Sequence, residues 1–422
     1  MSTPAHRPQP EENAEPTLQD VTAEAHADSA SNRPPRSYRR LLLKFLVSAL
    51  WLVLLLEVVP RLVFSTSLLT HGLARWALVG YDESSWRLLW VMRHRLNLEQ
   101  TITPATKNLP RTGEFTDYDA TRGWAVKPGV RNMTPFGNGK YVNTNARGLR
   151  GATDYAYART PGVRRILVLG DSFAFGSEVS DDETFAHDLE TMLPKTEVLN
   201  LGVQGYGHDQ MLLYLQQEGV KYRPDIVLIG FLYVDGYRNL WNFFAYAKPK
   251  FKLTPHGLEL TNVPVPTPEQ VMAEEPYRSK ALDLGVILRE KIRWASGAND
   301  RRTQELTRAL LGQIVATTRS IGAAPVLVYM PVYDEVNDLS DGMSERELYV
   351  DSFCHDQGIA CLFLRPRFSQ AAKQGVKLEA RAHWNPEMHR MAAEEIARFL
   401  DSNRLIDGAA RPGQASLPVS SR

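Results

Sequence analysis

Residues Arg165–Gly176, RILVLGDSFAFG, constrain this chain more than any other stretch. An apolar, β-rich run stops at Gly170-Asp171-Ser172, and a small-residue turn follows. A strand that ends this way leaves a serine at the carboxyl edge of a sheet, where open α/β folds gather their chemistry. Two readings of Ser172 follow. In one, its hydroxyl is a nucleophile, given a base within reach. In the other, Asp171 and Ser172 only cap the next helix.

The flanking sequence supplies the frame. Strands are read at 166–169, 198–201, 226–231, 325–330 and 361–364, and helices near 184–193, 209–218, 302–321, 344–355 and 386–400. Strands alternating with helices imply an α/β fold, a doubly wound parallel sheet in a three-layer α/β/α, flavodoxin-like arrangement. Residues 240–300 break the alternation. They are rich in proline and aromatics, including Trp241, Phe243, Phe244 and Tyr246, and read as an insertion forming a wall or lid. The aromatic cluster is either a stacking surface for a ligand or the core of the insertion itself.

Ahead of this domain lies a different texture. Residues 1–38 are dominated by Pro, Glu, Ala, Ser and Asp and read as a disordered tail. Residues 39–65 carry an apolar run long enough to span a bilayer, with Lys44 able to snorkel at one end and Glu57 and Arg61 near the other. A buried amphipathic helix is the alternative, but Phe45–Leu56 is apolar all round apart from Ser48. A cleaved signal peptide fits less well, because the region before the run is long and no small-x-small site follows it. Arg33, Arg36, Arg39, Arg40 and Lys44 precede the span, so the positive-inside rule keeps the N-terminus in the cytoplasm and puts the rest outside. Residues 66–117 read as a helical membrane-proximal linker. Trp86 and Trp90 in it suit either a membrane-surface helix or a helix packed on the main domain. Residues 404–422 read as a second disordered tail.

Composition excludes several classes. A formal net charge of +1 over 422 residues gives no argument for binding nucleic acid. The two cysteines, Cys354 and Cys361, are too few for a disulfide scaffold and poorly spaced for zinc. They are either a single disulfide in an oxidising compartment or two buried thiols. No metal-ligand spacing is present, and no cofactor is expected. Gly202, Gly205 and Gly207 do not match a phosphate loop or a dinucleotide fingerprint.

Four blocks carry the chemistry. After Gly170-Asp171-Ser172 comes Asn200–Gly207 (NLGVQGYG), whose glycines let backbone amides approach a ligand closely. The third is Phe231–Asn239 (FLYVDGYRN). The fourth is Ala382-His383-Trp384-Asn385-Pro386, where Asn385 and Pro386 suit a helix start and leave His383 in a loop as a candidate general base. This set resembles the SGNH, or GDSL-type, hydrolase family over roughly residues 118–403, and the membrane-anchored bacterial members in particular. The resemblance implies an esterase or O-acyltransferase. Ser172 would be the nucleophile and His383 the base, with the amides of Ser172 and Gly205 forming the oxyanion hole.

Two departures qualify it. Val234 stands where the family has an asparagine donor, and Ala380 and Arg381 stand where it has the aspartate that orients the histidine. Asp171, Asp235, Asn239 and Glu379 are the nearby candidates for support, Asn239 or Asn200 for the lost donor and Glu379 for the lost acid. Two functions stay open. One is ester hydrolysis or acyl transfer on an acylated small molecule or a cell-envelope or secreted glycan. The other is a catalytically impaired domain that binds glycan or scaffolds envelope or polysaccharide-assembly proteins. The implied location is the bacterial inner membrane, single-pass, with the domain in the periplasm.

Overall fold

The computed structural model describes residues 36–65, 82–96, 115–137, 139–337, 342–378 and 382–406. Most of both predicted tails, most of the linker, and Glu379, Ala380 and Arg381 lie outside the described residues. The chain divides into two units, Met1–Leu62 and Val63–Arg422.

The first unit is built on helix α1 (Arg36–Ser65). Its segment Tyr38–Val59 is long and apolar enough to cross a membrane, and its large side chains are exposed. Glu57 and Arg61 sit one turn apart and pair at 3.1 Å, which offsets the two charges that shorten the apolar run.

The second unit opens with α2 (Glu83–Leu96) and the hairpin β1 (Thr116–Asp119) and β2 (Gly123–Val126). The α/β part follows: β3 (Arg164–Gly170), α3 (Ser172–Phe175), α4 (Phe185–Met192), β4 (Thr196–Gly202), α5 (His208–Gln217), β5 (Ile226–Phe231) and α6 (Asp235–Arg238). The insertion holds two short hairpins, β6 (Phe243–Phe244) with β7 (Tyr246–Ala247) and β8 (Lys250–Thr254) with β9 (Gly257–Thr261), then α7 (Pro268–Glu274) and α8 (Lys280–Ala295). The fold closes with α9 (Ala298–Ser320), β10 (Ala324–Tyr329), α10 (Tyr333–Asn337), α11 (Glu345–Gln357), β11 (Ala360–Phe363), α12 (Arg365–Lys373) and α13 (Pro386–Ser402).

All five expected strands form one sheet in the order β11-β10-β5-β3-β4, every neighbouring pair parallel. Because successive strand residues point to opposite faces, β3 feeds two cores. Leu167 and Leu169 pack with α5 and α9 on one face, while Ile166 and Val168 pack with α4 and α13 on the other. The chain leaves β3 toward β4 on one side, then crosses to β5 on the other side. That reversal opens a crevice at the carboxyl ends of β3 and β5, the place where such sheets bind ligands.

The insertion is core rather than stacking surface. Trp241, Phe243 and Phe244 are buried, and Trp86 and Trp90 of α2 pack onto them, with Trp86–Phe244 and Trp90–Tyr246 centroids 4.6 and 5.3 Å apart. Of the two readings of α2, the helix packed on the main domain is the one observed. Lys248, fully buried, ties the insertion to the start of α5 through Asp209 and to the backbone through Arg238 O, Trp241 O and Pro249 O. Cys354 and Cys361 form a disulfide joining α11 to β11, with Cα atoms 6.2 Å apart.

Two buried histidines give the fold a pH dependence. Burial lowers His208 to about 3, helped by the nearby Arg238 charge. Burial likewise lowers His389 to about 3, helped by Arg150 and His383. Below the ordinary histidine value of 6.5 the unfolded chain gains protons that the folded chain refuses. Stability is therefore fully present above that value and falls as pH drops toward 3, by about 1.4 kcal/mol per pH unit for each histidine. Denaturant unfolding of the full chain in detergent should show this slope. The double variant His208→Gln/His389→Gln should flatten it, and an unchanged slope would contradict the assignment.

Candidate active site

Ser172 is mounted on a helix of one turn. Asp171 is its N-cap, its Oδ1 accepting from Phe173 N at 2.9 Å. Gly176, at φ +79°, closes it by donating to Ser172 O and Phe173 O. The cap reading and the nucleophile reading thus fall on different residues: Asp171 caps, and Ser172 is the first helical residue. The turn lies directly on the strand ends. A Cβ on Gly202 would sit 2.3 Å from Phe175 N, and one on Gly170 would sit 2.4 Å from Ala174 Cβ. Asn200 fastens the contact, donating to Ala174 O at 2.8 Å and accepting from Gly202 N at 2.9 Å.

His383 reaches this serine from 211 residues further along, its Nε2 2.9 Å from Ser172 Oγ. The local sequence explains its position. Asn385 caps α13 by accepting from Met388 N at 2.9 Å, and Trp384 anchors the loop by donating to Pro331 O at 3.0 Å. The imidazole lies against Phe173, centroids 5.1 Å apart. Ser172 Oγ also stands 3.1 Å from Asp171 Oδ2. One hydroxyl proton thus has two acceptors, and only the bond to His383 readies the oxygen for attack.

Beneath the serine lies a charge cluster. Arg238 of α6 places Nη1 3.2 Å from Asp171 Oδ2 and 2.6 Å from Asp235 Oδ1, and donates to Tyr206 O at 2.9 Å. Asp235 pairs with that guanidinium by charge, and neither of its oxygens accepts a hydrogen bond among the described residues. Burial pushes Asp235 well above the usual carboxylate range; Arg238 opposes the shift and neighbouring Asp171 adds to it. With one guanidinium beside two buried carboxylates, burial and the neighbouring Asp171 shift Asp235 toward its protonated form.

Gly205 adopts φ +76° in a loop fixed on both sides. Trp124 Nε1 donates to Gln204 O at 3.0 Å, and Gln204 Nε2 donates to Ser177 Oγ at 3.0 Å. Among the described residues, neither Ser172 N–H nor Gly205 N–H donates to a protein acceptor. Asn239 does not stand in for the donor missing at Val234. It is buried, donates to Thr307 Oγ1 at 2.9 Å, faces His208 Nδ1 at 3.2 Å and accepts from Asp209 N. Asn200 is committed to the α3 mount. Both asparagines are buried where neighbouring polar groups need partners, Asn200 serving the backbone of α3 and β4 and Asn239 serving Thr307, His208 and Asp209 N.

Two site residues had no signal in the motifs. Arg238 follows Val234 by one helical turn, and only the fold of α6 turns it under Asp171. Glu178, six residues after Ser172, lies 3.4 Å through Oε1 from His383 Nδ1.

No family model and no curated protein matches the chain. Solved structures do resemble it. A member of the lipolytic protein G-D-S-L family from Veillonella parvula DSM 2008 is 10% identical, with 56% of this chain and 97% of that one covered and a TM-score of 0.34. The psychrotrophic esterase EstA from Pseudoalteromonas sp. is 13% identical, covering 57% and 97%, with a TM-score of 0.35. The acetyl xylan esterase AlAXEase is 11% identical, covering 55% and 97%, with a TM-score of 0.35. The order of the site blocks on this chain's own sheet, Ser172 after β3, Gly205 after β4 and His383 before α13, is the order expected from the sequence.

In this site the serine's placement depends on an absent side chain. Gly202→Ala should displace α3, costing about 1–3 kcal/mol of stability as an overpacked contact does. It should also lower any serine-dependent turnover on the order of 10²-fold, the typical cost of a shift of about 1 Å at the reacting group. Normal stability and turnover in that variant would refute this account of the mount.

Proposed function

We propose that the protein cleaves or transfers ester-linked acyl groups through Ser172. The observation that carries this is the 2.9 Å contact between His383 Nε2 and Ser172 Oγ, with the amides of Ser172 and Gly205 donating to no protein acceptor among the described residues. Ser172 Oγ attacks the ester carbonyl as His383 takes its proton. The developing oxyanion is received by the amides of Ser172 and Gly205. Collapse expels the alcohol, protonated by His383, and leaves an acyl-serine. His383 then deprotonates water or a sugar hydroxyl, which attacks the acyl carbon and frees Ser172. A site lacking the third donor forfeits roughly 10²–10³-fold in rate, so slow turnover is expected.

The apolar helix and its basic leading flank support single-pass anchoring in a bacterial inner membrane, with this domain on the periplasmic side. A cell-envelope or secreted glycan suits that placement as acyl donor or acceptor. The competing reading, a non-catalytic glycan binder, loses its stacking surface, because Trp241, Phe243, Phe244 and Trp384 are all buried.

With a chromogenic acetyl ester, Ser172→Ala and His383→Ala should each reduce turnover by at least about 10³-fold. Turnover equal to wild type in Ser172→Ala would sink the proposal. For topology, a periplasm-dependent reporter fused after residue 100 should be active, and activity of a cytoplasm-dependent reporter there would reverse the orientation.

A further inference from the structure

We infer that Glu178 is the positioning carboxylate of His383, an inference that rests on the ester-cleaving reading above. The fourth block lacks the aspartate that would orient the ring. The described carboxylate beside the far ring nitrogen comes from another part of the chain: Glu178 Oε1 is 3.4 Å from His383 Nδ1. That nitrogen is buried and makes no hydrogen bond among the described residues. The distance is that of an ion pair rather than a formed hydrogen bond, and such contacts commonly tighten when a substrate closes the site.

The backbone of Glu178 supplies an independent observation. It is a non-glycine residue at φ +71°, in the left-handed region that a residue with a Cβ rarely adopts. The loop is pinned on both sides of it. Ser177 N donates to Ser172 O at 3.0 Å, Arg150 Nη2 donates to Val179 O at 2.9 Å, and Ser180 N donates to Glu183 Oε2 at 2.7 Å. Strain held in place this way marks positions where side-chain direction matters. Here it turns a side chain that is 25% exposed toward the imidazole.

The chemistry follows from that contact. A carboxylate at Nδ1 selects the tautomer with its proton there, leaving the Nε2 lone pair toward Ser172 Oγ. It also stabilises the imidazolium formed when His383 takes the serine proton. Nucleophile and acid therefore share one rigid turn, six residues apart, and only the base arrives from the other end of the domain.

The test is Glu178→Gln in the full chain with a chromogenic acetyl ester. kcat should fall on the order of 10²-fold with KM nearly unchanged. That is less than the roughly 10⁴-fold typical of a buried triad aspartate, because Glu178 is longer-range and partly exposed. The acidic limb of the rate profile should move to lower pH, since removing an anion disfavours the protonated imidazole. Asp171, which also reaches Ser172 Oγ, and His389, one turn into α13, remain in place in that variant. Glu178→Gly suits the positive φ and should lose kcat equally while keeping or raising the unfolding midpoint. Glu178→Gln with kcat within about twofold of wild type and an unmoved profile, while Ser172→Ala is inactive, overturns the inference and leaves the ester-cleaving reading standing. A loss confined to Glu379→Gln would likewise overturn it. Turnover that survives Ser172→Ala removes both.

Discussion

The close approach of a one-turn helix to the ends of two parallel strands is the constraint on which the site depends. Gly170 and Gly202 have no side chains, and the space a Cβ would fill is occupied by Ala174 and by the Ala174–Phe175 backbone. The helix is too short to hold itself, since a single turn fixes several dihedrals for few hydrogen bonds. It persists because Asp171 and Gly176 cap it, Asn200 clamps Ala174 O, and its residues are buried against both sheet faces. Ser172 thus inherits its position from the sheet.

A second constraint is charge taken out of water. Asp171 and Arg238, with Asp235 beside them, lie under the serine, and Asp209 with Lys248 lies at the start of α5, all buried or nearly so. Buried ions need partners, and removing one partner of such a pair typically costs about 3–5 kcal/mol. These pairs fix α6, the first turn of α5 and the insertion relative to one another. The same cluster gives Asp171 a cation to answer, so its second oxygen competes with His383 for the Ser172 proton. A site with such a competitor, and without the usual third oxyanion donor, is suited to modest rates on a positioned substrate.

Much of this was legible in the chain. The five strands were placed within about two residues because a buried parallel strand is a short apolar run bounded by turn residues. The helices at 302–321 and 386–400 were legible for a similar reason, their apolar spacing and the Asn385-Pro386 start. The insertion was not. Its strands are two to five residues long, and its aromatics are equally consistent with a surface and a core until α2 covers them. Asn239 was a reasonable donor on paper, but its amide is spent on Thr307 and His208.

What the sequence determined by itself was local: the strand that stops at Gly170, the turn that presents Ser172, the loop–helix junction that holds His383, and the apolar helix ahead of the domain. These follow from chain geometry and side-chain type over a few residues. Tertiary structure decided which distant groups meet. Glu178 reaches His383 and Arg238 lies beneath Asp171 only because the strand order reverses at β3 and the loops after β3 and β5 converge on that edge. Contacts between residues tens to hundreds of positions apart are set by packing, which no spacing in the sequence records.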